Sequence, residues 1–504
     1  MGLLFTILYI ITAYLAPVTF FGDWADYHIE TGIVAVALVF SLFSASGSNV
    51  LRLPQTWAIA GLCACVCISI MVNGWLGGGP KALLDFLPEV AVFFLIVMNC
   101  NKKWHVQVLA LTLFCCATFI ICKAVYDNTG DGRYRSLYLL WQNVGGDDTY
   151  DWLARIRGLS FLGDPNDFAQ FLVSLIPLMF LFWVKGSSFR NFLFVYVPCS
   201  FLFIGMYLTH SRGSMVALMA LCIFAFRRKI GIARSVVIGV GMFAVLTLLG
   251  YSGGRDVGAG DDRLAAWASG LMLIRAHPIF GVGFQQFSDF NDITAHNTFV
   301  VCAAELGLVG VFFWVLLMYV TVRNSWETAK DPDQLAADQQ KKVDAVNAKH
   351  PFLQGIPTLT EAVLTPAPAS GGLPITSQGR QFTGTGSAFL LPANTAASGV
   401  NHLGVPSDDG DTETSDADIR FMAGLTVLSF VGFLTAGWFL SRAYTMCIYV
   451  NAGIAAAIYR MALDRGIAPP PLTFGQASKT SVKIIIVLLA IVWVIVHVDH
   501  YMPQ

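Results

Sequence analysis

Two kinds of residue in this chain are suited to phosphate and proton chemistry. The first is a set of arginines between apolar runs: Arg133, Arg135, Arg155, Arg157, Arg212, Arg255, Arg263 and Arg275. A guanidinium is planar and permanently charged, and it grips phosphate through paired hydrogen bonds. The second is His296-Asn297, which opens the apolar stretch "AHNTFVVCAAELGLVG", Ala295 to Gly310. An imidazole titrating near neutral pH can take a proton from an attacking hydroxyl. Each has a plainer reading. Arginines snorkel or pair within loops, and a histidine can simply mark the interfacial start of a helix.

The elements that must hold these residues are membrane spans. The chain has 504 residues, 56% hydrophobic and only 12% charged, and its mean hydropathy is +0.63. So little charge could not cover a soluble protein of this length. Apolar runs near the ~20 residues needed to cross a bilayer recur throughout. Hydropathy gives about thirteen windows: 3–21, 31–48, 56–76, 82–99, 106–125, 167–184, 191–209, 214–226, 235–250, 298–322, 421–440, 443–461 and 481–499. The expected fold class is therefore an all-α polytopic membrane protein with 12–13 transmembrane helices. The first window has no positive leader or small-residue cleavage site and reads as a retained span.

With the N-terminus in the cytoplasm, Arg52, Lys102-Lys103, Lys185/Arg190, Arg227 to Lys229 with Arg234, Arg323 and Arg460/Arg465 all fall inside. The arginines of the opening set fall on the opposite face, against the insertion bias. That placement favours an anion site over incidental charge.

Residues 331–419 differ in composition. They are rich in Pro, Ala, Gly, Ser and Thr and carry 11 acidic and 4 basic residues, leaving the rest of the chain at about +6. Such a segment buries too little apolar surface to fold firmly, and a largely disordered cytoplasmic loop is expected. The organisation expected is thus an N-terminal transmembrane bundle (1–125), a core with loops on the translocated face (126–330), the loop (331–419) and C-terminal transmembrane helices (420–504). The eleven cysteines lie almost wholly within apolar runs and read as small hydrophobes. No cluster of metal-ligand type is evident, so neither a metal nor another cofactor is expected, and nothing points to a nucleic acid partner.

Several local readings concern the site. "DDRLAAWASGLMLIRAHP" has helical spacing and reads as a short amphipathic helix at the interface, followed by the Gly/Pro turn "HPIFGVGFQQF". Asp164 and Asp167 in "GDPNDF" are placed to cap a helix, with Pro165 in its first turn. On a continuous helix, Ala303, Gly307 and Gly310 fall within about 40° of His296, forming a small-residue face for a neighbouring helix. Glu305 falls about 180° away and reads as an acid paired with another span. His277 reads as structural, and His210, although it stands beside Arg212 within reach of a phosphate, is not taken as a site residue.

The pattern His296-Asn297, nine residues, Gly307-Leu-Val-Gly310 resembles that of the bacterial O-antigen ligase and polysaccharide polymerase superfamily. "HSRGSMVAL" (His210 to Leu218), "DDRLAAW…HPIFGVG" and "GLSFLGDPNDFAQFL" (Gly158 to Leu172) are similar to its other motifs, so the resemblance covers roughly residues 155–322. It implies a GT-C-like fold in the bacterial inner membrane, with the active site facing the periplasm. The implied activity is transfer of a glycan from undecaprenyl pyrophosphate to a lipid A-core, glycan or protein hydroxyl, among membrane lipid. By position His296 matches the motif histidine, while Arg212 and Arg263 match the arginines that hold the pyrophosphate. Arg275 and Arg157 are further candidates for donor binding, and Asn297, Gly307 and Gly310 are the structural part of the motif. The stretch between Arg263 and His296 is shorter than in a typical ligase, which leaves ligase and polymerase both open. The rival of another class is a transporter, which should show two related halves with Gly/Pro-interrupted spans. No such repeat is visible.

Overall fold

A computed structural model describes residues 1–20, 29–42, 47–130, 133–143, 152–248, 259–331 and 414–498, with isolated positions 334 and 344. Two compact units result: Met1–Asp331 with Thr414–Gln504, and Pro332–Glu413. The first is the membrane unit. Arg255 and most of the 331–419 stretch lie outside the described residues.

The membrane unit begins with α1 (Gly2–Leu15), α2 (Ile29–Leu42), α3 (Pro54–Val72), α4 (Gly78–Asn99) and α5 (Lys103–Thr129). A hairpin of β1 (Leu139–Asn143) and β2 (Trp152–Ile156) follows, antiparallel with Leu139 opposite Ile156. Next come α6 (Pro165–Leu175, extended to Phe182 by a tighter turn), α7 (Ser188–Leu208), α8 (Arg212–Ile230) and α9 (Ile232–Leu248). α10 (Ala259–Ala276) covers the expected short helix, and α11 (Thr298–Thr328), α12 (Asp416–Gly437), α13 (Met446–Asp464) and α14 (Phe474–Val498) complete the unit.

Among the described residues, each of the thirteen hydropathy windows overlaps a helix. Nine helices among the described residues are long and apolar enough to cross a membrane, and α1, α2 and α9 are shorter apolar helices. Apart from the β1–β2 hairpin the described residues are predominantly α-helical, and the protein is a multi-pass membrane protein with a topology consistent with the inner membrane. All eleven cysteines are free. The helix α12 starts at Asp416 through a Ser415–Asp418 capping box, so Asp416 and Asp418, the last two acids of the 331–419 stretch, are part of a helix.

The centre of the bundle is α13. Its run "NAGIAAA" lets α4 approach until an added Cβ at Gly453 would lie 3.1 Å from Ile96. Small side chains permit such close backbone approach where lipid offers no hydrophobic drive for association. This contact fixes the acidic start of α4, with Asp85 and Glu89, against the site described below.

The most consequential departure from a regular bundle lies within α11. Gly307 has φ +66° and ψ −168°, and the helix is broken there. The turn Pro278–Gly283 fills the break. Val282 and Gly283 donate their N–H groups to the carbonyls of Ala304 and Glu305, each at 3.0 Å. Leu308 and Val309 donate theirs to Pro278 and Ile279, at 2.8 and 3.2 Å. Backbone groups freed inside a span must find partners in the protein, and this turn supplies all four.

The break corrects the small-residue face expected from the helical wheel. His296 precedes the helix with φ +47°, and Gly307 interrupts it, so the wheel cannot be carried from one to the other. An added Cβ at Gly307 would meet the Ile279 backbone at 2.4 Å, and one at Gly310 would meet Leu306 at 2.1 Å. The glycines therefore admit the 278–283 turn and the helix's own preceding turn, not a second span.

Candidate active site

Four connections converge on one face of the bundle, those that follow α5, α7, α9 and α12. A chain crossing alternately must bring these to the same side. They carry Asp164, Arg212, Arg263 with His296, and Arg442. These charges sense one another: Arg263 lies within electrostatic reach of Arg212 and Asp164, and His296 of Arg263, Asp164 and Arg442.

Each member is placed by a local device. Asp164 caps α6, its Oδ1 accepting the Asn166 N–H at 2.7 Å with Pro165 in the first turn. Asp167 departs from the capping expectation. It is buried, and its Oδ2 forms a 2.7 Å ion pair with Arg442. Arg155 is also buried and links three pieces: Nε donates to the Thr209 carbonyl at 2.8 Å, and the guanidinium reaches Asn166 at 3.1 Å and Gln142 at 3.3 Å. This linkage joins the hairpin to the starts of α6 and α8, fixing Arg212 at the first position of α8.

His296 is clamped from both sides. Trp267 on α10 donates its indole N–H to the Ala295 carbonyl at 2.7 Å. Asn297 is fully buried and caps α11, its Oδ1 accepting the N–H groups of Phe299 (3.0 Å) and Val300 (3.1 Å). Its Nδ2 donates to the Trp438 carbonyl at 3.1 Å. Thr298 donates to the Leu440 carbonyl at 2.6 Å, and its hydroxyl receives the Arg442 N–H at 3.3 Å. Asparagine supplies both an acceptor and a donor, which explains the His-Asn pairing. Only the ring of His296 remains for chemistry.

Electrostatics set its protonation. Burial, followed by the Arg263 and Arg442 charges, pulls the His296 pKa below its ordinary value, with Asp164 opposing. The ring is thereby biased toward the neutral form that can accept a proton. Burial and the Arg212 charge likewise lower Arg263. Two cations held together with few compensating acids favour a dianion between them. Burial would also lower Arg442, but Asp167, with Asp164 beside it, raises it overall.

Among the sequence candidates, His296, Arg263 and Arg212 are thus brought together. Arg275 sits in the last turn of α10, about 18 Å of helical rise from Arg263. Arg157 is engaged by backbone, its guanidinium donating to the carbonyls of Leu137 (3.0 Å) and Gly163 (3.4 Å) at the rim of the cluster. His210 adopts φ +51° in the turn before Arg212 and packs on Tyr207. Among the described residues, Glu305 is not paired to a cation on another span. Its Oε1 accepts the Phe287 N–H at 3.2 Å in a neighbouring cavity, away from the cluster but sharing Arg442 with it. Sequence reasoning missed Arg442 and read Asp167 only as a helix cap. The signal was a lone arginine in "LSRAY" between two apolar runs, on the face that holds the other arginines.

These features define a multi-pass membrane protein with a cationic, histidine-bearing site on one face. Residues 197–315 match the family model described as O-antigen ligase. The matched stretch includes Arg212, Arg263, His296 and the α11 break, while Asp164, Asp167 and Arg442 lie beyond it. No curated protein matches the chain significantly.

The cap yields a direct prediction. Asn297→Ala removes both helix-cap bonds and the tie to Trp438, lowering stability by about 1–2 kcal/mol. Asn297→Asp keeps the cap but loses the donor to Trp438, and should fall between. Thermal unfolding of the purified protein in detergent checks the order wild type, Asp, Ala.

Proposed function

We propose that this protein is a glycosyltransferase acting on a lipid-linked donor at the periplasmic face. It transfers a glycan from undecaprenyl pyrophosphate to an acceptor hydroxyl. The observation that carries this reading is a histidine biased toward neutrality beside Arg263 and Arg212, within the part of the chain that matches O-antigen ligase.

The acceptor oxygen attacks the anomeric carbon as the bond from that carbon to the pyrophosphate oxygen breaks. The bonding pair leaves on the pyrophosphate, where Arg263 and Arg212 stabilise the growing charge in a site partly shielded from water. The hydroxyl proton passes to the His296 ring. A single displacement gives inversion at the anomeric carbon. None of these steps draws on a metal.

A second feature supports a lipid-linked donor. An apolar groove of about 320 Å³ is lined by Thr298, Trp314, Met318 and Val322 of α11 together with residues of α12 and α14. Thr298 and Trp314 both reach the connection after α12, donating to the carbonyls of Leu440 and Ala443, so the groove runs up to that connection. Its upper end lies two residues from His296, so a polyprenyl chain along it would deliver its head group to the cluster. The arginines gather at one face, whereas a transporter places charge near mid-membrane between related halves.

The test uses cells lacking the native protein. Arg263→Ala should abolish the mature surface glycan, and wild-type glycan in that variant would sink the proposal. The accumulated lipid-linked material separates the two activities: a ligase defect leaves polymer on undecaprenyl pyrophosphate, whereas a polymerase defect leaves single repeat units.

A further inference from the structure

Beside the cationic cluster lies a second cavity of about 460 Å³ with the opposite charge. Asp85 and Glu89 of α4 and Glu305 of α11 line it, with aromatic rings that include Phe86 and Phe284. Its volume falls within the range of about 300–1,000 Å³ usual for small-molecule sites. It meets the cluster at Arg442, which lines the cavity while its guanidinium holds Asp167. Thr294, two residues before His296, is also in its wall.

Its polar lining is incompletely satisfied. Glu305 is only 4% exposed, and its Oε1 is satisfied by Phe287, but Oε2 has no well-formed hydrogen bond. The Tyr444 hydroxyl and the Gln285 N–H lie near the same carboxylate without meeting hydrogen-bond geometry, and the Ser441 hydroxyl is buried and unpartnered. A buried carboxylate oxygen without a well-placed donor is costly unless something supplies one. The break in α11 creates this situation, because the 278–283 turn binds the Glu305 carbonyl and loop residue Phe287 takes one carboxylate oxygen.

The chemistry selects the occupant. A pyrophosphate is repelled by three carboxylates. A single cation fits poorly too, since among the described residues no three acidic, histidine or cysteine side chains are grouped to hold an ion. A sugar fits both linings: its hydroxyls donate to carboxylates in charge-assisted bonds, and its C–H faces pack on aromatic rings. We propose that this cavity is the acceptor subsite, seating the terminal sugar of the acceptor glycan with Glu305 and Asp85 receiving its hydroxyl donors. The attacking hydroxyl then emerges at the Arg442 end, toward His296. This assignment rests on the glycan-transfer reading above.

The test exploits the difference between a sugar acceptor and water. Membrane vesicles from cells lacking the native protein hold both the unused lipid-linked glycan and its acceptor. Purified full-length protein is added, and acceptor-linked glycan and glycan released by hydrolysis are both measured. Water needs no acceptor subsite, so Glu305→Gln and Asp85→Asn should each lower the ratio of transfer to hydrolysis by about tenfold, the loss expected for one charge-assisted bond. A ratio does not depend on how much protein folds, and in Glu305→Gln the new amide oxygen can still accept the Phe287 N–H. A wild-type ratio in both variants overturns the acceptor assignment. Arg263→Ala should lower both products together, and if it lowers neither, the glycan-transfer reading fails instead.

Discussion

Replacing His296 with alanine should lower glycan transfer by about 10²–10⁴-fold, the range of a lost general base. His296→Asn should lose as much. Asparagine tolerates the left-handed backbone that this position adopts, at φ +47°, but offers no nitrogen that titrates near neutral pH. Equal loss in both variants assigns the effect to proton transfer, whereas recovery in the asparagine variant would assign it to the backbone. Residual turnover reflects the arginines, which act on the leaving group independently of the base.

The pH profile adds a sign. The ring works only when neutral, so kcat/KM rises with pH through the His296 pKa. Burial and the Arg263 and Arg442 charges lower that pKa, which puts the acid limb below the ordinary value of about 6.5. Asp164 acts in the opposite direction. Asp164→Asn keeps a good helix cap and removes the charge, so it should move the acid limb to still lower pH. A limb that moves upward would show that Asp164 does not act on His296 through charge.

The helices and the site differed in how much of them could be read from the chain. Hydropathy located every span because each is defined by its own residues. The clustering of Arg212, Arg263 and His296 on one face followed from counting crossings. The Asp164 cap with Pro165 was legible because a cap is set within three residues. Contacts between distant segments were not legible in this way. Asp167 looked like a second cap, and only the packing of α12 beside α6 brings Arg442 to it. From Phe299 to Gly310 the stretch is apolar but for Glu305, so its pattern gave no sign that the helix stops at Gly307. The clue lay elsewhere, in the glycines of "HPIFGVG", whose role appears only when that turn is seen inside the break.

The break supports the second large prediction. Gly307→Ala should destabilise the protein by about 3 kcal/mol or more, because φ +66° with ψ −168° is a region essentially restricted to glycine. The added methyl would also meet the Ile279 backbone at 2.4 Å, where no side chain can rotate away. Gly281→Ala meets the same obstacle from the other side: φ is +68°, and the Glu305 backbone lies 2.3 Å from the added carbon. If the two glycines serve one contact, the double variant should be little worse than either single, since the second substitution strikes a contact already lost. Gly241→Ala in α9 is the control, with nothing within 4 Å of its added carbon, and should be neutral or mildly stabilising. Thermal unfolding in detergent and the level of protein in the membrane measure all four. Fully additive losses from Gly307 and Gly281 would mean that the turn and the helix are held separately. The break would then not be what aims Glu305 into the acidic cavity.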